Sequence, residues 1–274
     1  MIDSIFLHYR LTELWDFPLI LIVLLLSAFY IAIVGPYRQS TIKGDVIPLK
    51  QKVYFLTGLL VTLVILGSPL HVLGHTFLFS IHMFQQAMLY MVVVPLLLLG
   101  IPQQVYKLVV TKQWLKRVVI FFTHPIISIF FFNGLFSIYH HPLVFETAVA
   151  NHSLFTLFHI ILFIGASLMW WSLLSPLPEL NRVGELSRIG YIFMSGALIT
   201  PVCALIIFST SPIYSVYLEA PQLFSFLPTL EDQRLGGIIM KIIQEGVFIS
   251  SIAVIFFKWA KKERIKEPSL DKAV

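Results

Sequence analysis

The sequence predicts an all-α fold: a polytopic membrane bundle of seven transmembrane helices, with the N-terminus outside and the C-terminus in the cytoplasm. Three observations lead there. The 274 residues are 58% hydrophobic and 12% charged, with a mean hydropathy of +0.88, too apolar for a soluble domain and too long for a single anchor. Seven nearly uncharged stretches are each long enough to cross a hydrocarbon core, which takes about 20 helical residues. Most of the basic residues gather on one side, as short cytoplasmic loops require.

The spans expected in order are 17–34, 53–70, 76–100, 118–139, 152–174, 189–210 and 236–257. The first is free of charge and is followed by a connection holding Arg38, Lys43, Lys50 and Lys52, which bounds the second. The third, with Pro95 inside it, is separated from the fourth by Lys107, Lys112, Lys116 and Arg117. The fourth carries Pro125 near its start, and the fifth leads into a connection with Arg182 and Arg188. The sixth contains Pro201, and the seventh runs into a basic tail, residues 258–274. Each proline removes a backbone donor, so kinks are expected there. Trp170, Trp171 and Trp259 fall at inner span ends, where an amphipathic ring rests at the headgroup level.

These inner segments hold 16 of the 19 Lys and Arg, whereas the opposite side holds Arg10 and Arg234. The net charge of +5 is what this topology and anionic lipid headgroups produce, and it calls for no nucleic acid. Gly74, Gly100 and the Gly236–Gly237 pair sit in no phosphate-loop pattern. Residues 1–274 read as one integral membrane domain without repeats, and the outer connections 140–151 and 211–235 are too short to fold alone. Met1–Asp16 lacks the pattern of a cleaved signal, so the first span is expected to be retained. One cysteine, Cys203, allows no internal disulfide and no CxxC clamp.

Eight of the nine histidines map to the side poor in Lys and Arg: His8, His71, His75, His82, His140, His141, His152 and His159. Only His124 lies near the other face. His82 on the third span and His159 on the fifth are expected at similar depth below the outer surface, about 9–10 Å at 1.5 Å per residue. His152 lies two turns above His159 on the same helical face. An imidazole at that depth is costly unless it faces the bundle with a partner. Neutral imidazole suits copper, zinc, iron or nickel, and Met83 adds a thioether that would suit copper. Gln86 is one turn from His82, and Gln85 lies beside it; the alternative for this set is interhelical hydrogen-bonding. His71 and His75 read either as ligands at the mouth or as interfacial hydrogen-bonders, and so do His140 and His141.

Lys241 and Glu245 are spaced to pair with each other. Glu245 is otherwise placed to orient a ligating histidine from behind. Cys203 is either a small buried hydrophobe or a Cu(I) thiolate.

The stretch from Leu78 through His82, Met83 and Gln85 to Val94-Pro95, Gly100 and Pro102 resembles the third helix of the CtaG family of cytochrome c oxidase assembly factors. His152 to His159 with Trp170-Trp171, Ser211-Pro-Ile-Tyr214 with Tyr217, and Asp232 to Met240 support the likeness, which covers about residues 50 to 260. The resemblance implies a seven-helix, multi-pass protein of the bacterial plasma membrane, not an enzyme but an assembly factor or metallochaperone for haem-copper oxidase. It implies transiently bound copper as cargo, with oxidase subunits and extracytoplasmic copper donors as partners. His82, Met83 and Gln85 match motif positions. Gln86 stands where many members carry a second histidine, which shifts weight to ligands from the fifth span. The expected set is thus His82, His159, His152, Met83, His75 and His71, with Gln86, Gln85 and Glu245 behind them. The alternatives are a b-type haem held between His82 and His159, and a proton or metal transporter using Lys241 and Glu245.

Overall fold

The structure is a computed structural model, and it describes residues 10–41, 46–180 and 183–266. His8, Lys43, Arg182 and the end of the basic tail lie outside the described residues. The chain is a helical membrane bundle, built from α1 (Phe17–Val34), α2 (Leu49–Leu66), α3 (Phe79–Gly100), α4 (Gln113–Phe122), α5 (Pro125–Tyr139), α6 (Pro142–Ala150), α7 (His152–Leu174), α8 (Glu185–Ile207) and α9 (Thr229–Lys266). Among the described residues six helices are long and apolar enough to cross a membrane, and α4 with α5 makes a seventh if the bent pair is one span.

The first and fifth spans coincide with the expected bounds. The second span ends at Leu66 and not 70, because Gly67-Ser68-Pro69 opens a new turn, and the third starts at Phe79 and not 76, after the turn Leu73–Phe77; elsewhere, charge ends an apolar stretch without ending a helix. α2 takes Lys50 and Lys52 into its first turn, and α9 starts seven residues before the expected 236 and runs nine past 257. α8 likewise begins at Glu185, inside the basic connection.

The fourth span departs most. Expected as one helix over 118–139, it breaks by 68° between α4 and α5. Pro125 opens α5, and the residue before a proline is pushed out of the helical region; His124 accordingly adopts φ −63°, ψ 129°. Pro201 sits inside α8 without ending it. In α3 a wider π-type turn, Met88–Val93, ends two residues before Pro95. That turn leaves the Tyr90 carbonyl available, and the indole Nε1 of Trp170 donates to it at 2.9 Å. Trp170 is therefore a buried core residue, not the headgroup anchor expected of it. An orphan carbonyl in a water-free bundle outweighs the ring's interfacial preference.

α3 is the centre of the bundle and α1 its periphery. Phe79, Met83, Ala87, Tyr90 and Val93 are buried, while Leu21, Ile22, Leu24 and Leu25 on α1 are exposed. Inside a bilayer, helices associate through close packing rather than by leaving water. The contact of α9 with α3 shows it: a Cβ on Gly236 would stand 2.7 Å from the Phe79 ring and 3.1 Å from Met83.

The two ends of the bundle differ in chemistry. At one, Lys107 meets Glu179 at 3.5 Å, Lys262 meets Glu185 at 3.0 Å, and Gln51 donates to the Ile101 carbonyl, so the basic connections lie together. At the other, α6 and the 211–228 connection form a roof in which Phe145 and Tyr214 are buried against Phe79.

Candidate metal site at the histidine pole

The site begins with the start of α3. Its N-cap, Leu78, has no side-chain acceptor for the free N–H groups of the first turn. Asp232 of α9 supplies one from 153 residues away: its carboxylate accepts from Phe79 N at 2.7 Å and Ser80 N at 3.3 Å, and also from the Ser80 hydroxyl. This fixes the turn that carries His82, which is buried.

Around His82 the chain folds back on itself. Residues Pro69–Val72 form one helical turn and Leu73–Phe77 a π-type turn, carrying His71 and His75 beside α3. Gly74 is what allows the approach, because a Cβ there would meet Gln85 Oε1 at 2.3 Å and His82 N at 3.0 Å. The Tyr217 hydroxyl pins the same residue by donating to its carbonyl at 2.7 Å. Gln85 spends its amide donor on the Ile65 carbonyl near the end of α2.

The result is a small cavity lined by His71, His75, His82 and His159 together with Gln85 and Gln86. The His82 and His159 ring centroids are 6.0 Å apart, His71 and His75 are also 6.0 Å apart, and Phe155 packs against His75 and His159 at 4.8 and 4.1 Å. The free volume, about 10 Å³, is close to the minimum that holds one water-sized sphere.

Hydrogen bonds select the ring nitrogen that faces inward. His159 Nδ1 lies 2.9 Å from the Phe155 carbonyl, which can only accept, so the proton sits on Nδ1 and Nε2 keeps its lone pair. His82 Nε2 accepts from the Gln86 amide at 3.0 Å, with the Tyr139 hydroxyl 3.5 Å away. His71 Nδ1 and Gln86 Oε1 are buried without a partner among the described residues. Among the described residues no three His, Cys, Asp or Glu side chains close on one metal-sized point.

Burial pushes the His71 ring down to about 4, with His75 adding to it, Asp16 opposing it and His152 lowering it further; His75 is also lowered, by burial first and His152 second. In metal-free protein the His71 ring should therefore stay neutral until the pH falls toward 4. Side-chain NMR titration measures this, and a midpoint near the ordinary 6.5 would mean that the cavity is open to water.

Several expected residues lie elsewhere. Met83 packs against Gly236 and is not part of the cavity wall, because successive residues on a helix point about 100° apart and His82 takes the inward direction. Glu245 accepts from Lys241 at 2.6 Å, Lys241 also donates to Thr200 at 3.0 Å, and neither lines the cavity. The self-paired alternative describes them. His152 is exposed at the start of α7, outside the cavity wall. His140 is buried behind Tyr139, its Nδ1 donating to the Phe136 carbonyl at 2.8 Å and its Nε2 without a partner among the described residues; His141 is exposed. Cys203 is free and buried in α8.

Four residues that hold the site were given no role from sequence: Gly74, Tyr139, Tyr217 and Asp232. All act across helices. The only prior signal was the occurrence of Tyr217 and Asp232 in stretches that carry the family likeness.

Comparison with known proteins adds a family and distant relatives. The profile of the cytochrome c oxidase caa3 assembly factor (Caa3_CtaG) family matches residues 28–262. An uncharacterized protein of Mycobacterium bovis and one of Mycobacterium tuberculosis are each 25% identical over 238 residues, covering 81% of this chain. An uncharacterized protein of Mycobacterium leprae is 24% identical over 236 residues, or 80% of the chain. The chain spans about 36% of the length of these relatives. No solved structure matches.

Proposed function

The chain belongs to the cytochrome c oxidase caa3 assembly factor family, and from that premise we propose that it receives copper at its histidine pole and passes it to an oxidase subunit. The pole faces the extracytoplasmic side of the bacterial plasma membrane, since the opposite end gathers the Lys and Arg that mark cytoplasmic loops. It is a metallochaperone with exchangeable cargo and no covalent chemistry of its own.

The observation that carries this reading is the single cavity shared by four imidazoles of the 69–77 turn, α3 and α7. Neutral nitrogen donors without a carboxylate in the wall disfavour magnesium and calcium, and copper(II) heads the divalent affinity order at such sites. Centroids 6.0 Å apart match what two metal–nitrogen bonds of about 2 Å plus the ring radii span. His82 and His159 are the inner pair, His71 and His75 the mouth, and exposed His152 a first contact for ions delivered by donor proteins. Gln86 occupies the His82 lone pair through an amide that can turn away, which keeps binding reversible. Ring rotation into the cavity completes coordination.

The haem reading fits less well, because a macrocycle needs a pocket on the scale of roughly 300 Å³ or more and this one is about 10 Å³. The transporter reading loses its residues to the Lys241–Glu245–Thr200 cluster. The test is metal analysis with an absorption spectrum on full-length protein purified from copper- and haem-replete cells. About one copper per chain and no Soret band is expected; a Soret band with no copper would overturn the reading.

A further inference from the structure

A far roomier cavity than that of the histidine pole lies elsewhere in the bundle. A cleft of about 940 Å³ opens at the basic end, between the start of α2, the ends of α3 and α7, the start of α8 and one face of α9. Its long wall is a helical stripe, Ile242, Gly246, Ser250, Val254 and Lys258, spaced every four residues and running about 24 Å at 1.5 Å per residue. From Ile242 to Val254 this wall is apolar in what it offers, since Ser250 and the neighbouring Ser251 spend their hydroxyls on the Gly246 and Val247 carbonyls of their own helix. At Gly246 an added Cβ would meet nothing within 4 Å, so the cleft is unfilled there.

One end of the cleft is cationic. Lys50, Arg188 and Lys258 line it. Among the described residues neither Lys50 nor Lys258 has a carboxylate partner, and Lys50 lies 5.5 Å over the Tyr54 ring. Glu185, the acid in the wall, is taken by Lys262 at 3.0 Å. Arg188 directs Nε and Nη2 to the Val183 carbonyl and the Ser175 hydroxyl, which leaves guanidinium N–H groups to spare.

We propose that this cleft is a binding site for an anionic phospholipid, its phosphate between Lys50, Arg188 and Lys258 and an acyl chain along the Ile242–Val254 stripe. The occupant must be apolar over most of its length and negative at one end. A partner's transmembrane helix meets the first need and fails the second, because its flank on this same side is itself rich in Lys and Arg. Basic pockets between helices at this level are where anionic headgroups are held, each cation contributing about 1 kcal/mol. The site is independent of the copper reading.

The test uses the full chain in neutral detergent, with equimolar phosphatidylglycerol and phosphatidylcholine, read by native mass spectrometry. Wild type should retain phosphatidylglycerol preferentially. Replacing Lys50 and Lys258 together with Ala should cut that preference about 25-fold, at about fivefold per cation. Gly246→Leu fills open space without displacing packed atoms, and should abolish retention of both lipids while leaving bound copper unchanged. Equal retention of the two lipids by wild type, or unchanged retention in both variants, overturns the proposal. So does a photo-crosslinker at Gly246→Cys that captures another polypeptide in native membranes in place of lipid.

Discussion

His82→Ala should bring copper in the purified protein to background and lower the copper content of the cells' oxidase in step. His82 is the one imidazole that is both buried and held at the centre of the cavity, between Gln86, Tyr139 and the ring of His159. His159→Ala should weaken binding by about two orders of magnitude or more, since one of the inner pair is then lost. Gln86→Ala removes the amide that occupies the His82 lone pair, so copper should be held at least as tightly as in wild type and released more slowly. His140→Ala serves as the control. Its Nε2 is buried without a partner among the described residues, but it lies outside the cavity wall, so copper should stay. Because His159 is only half-buried, its loss leaves the core intact, and a His159→Ala protein that melts as wild type yet keeps its copper would sink the copper reading.

What made this pair legible in sequence is that depth in a membrane is counted along the helix. Position fixes depth through the rise per residue, and two imidazoles at matched depth on neighbouring helices have one place to meet. The direction of a side chain around its helix is harder to read when the whole segment is apolar. Met83 shows the limit: beside His82 in sequence it looks like a second ligand, and the structure turns it toward Gly236. Glu245 shows it again, as a membrane carboxylate that serves only its own lysine and Thr200. The break before Pro125 was visible as a proline but not as a 68° bend, since a proline stands at the break between α4 and α5 and yet leaves α8 continuous at Pro201. The difference is the turn at Thr123–His124 ahead of Pro125, which has no counterpart before Pro201.

The long-range staples were the least legible. Tyr217 on Gly74 and Tyr214 on the His140 carbonyl tie the 211–228 connection to the turns that carry histidines, and Gln233, on both Ile213 N and the Ile206 carbonyl, ties it to α9 and α8. None has a local pattern, because each joins segments that meet only once the bundle has assembled. Tyr214 and Tyr217 thereby act on the site without lining its cavity. Those residues set the angle at which α3 and the 69–77 turn face each other.

Asp232→Ala should be the most destabilising single change at this pole, at about 3 kcal/mol or more. The carboxylate accepts three hydrogen bonds in a buried setting, and its removal leaves the Phe79 and Ser80 N–H groups at the positive end of α3 without an acceptor. Each buried unsatisfied donor costs about 1–3 kcal/mol, and losing a negative group from a helix N-terminus adds to that. Leu78 offers no substitute cap. Asp232→Asn keeps one carbonyl oxygen for the two backbone donors and should recover about half of the loss. Thermal unfolding in detergent measures both. His82 is three residues beyond Phe79, so fraying of that first turn should also weaken copper binding in Asp232→Ala, whereas His82→Ala should lose copper with a far smaller fall in melting temperature. An Asp232→Ala protein that melts like wild type would show that α3 does not depend on α9 for its start, and that the position of His82 is set by the 69–77 turn alone.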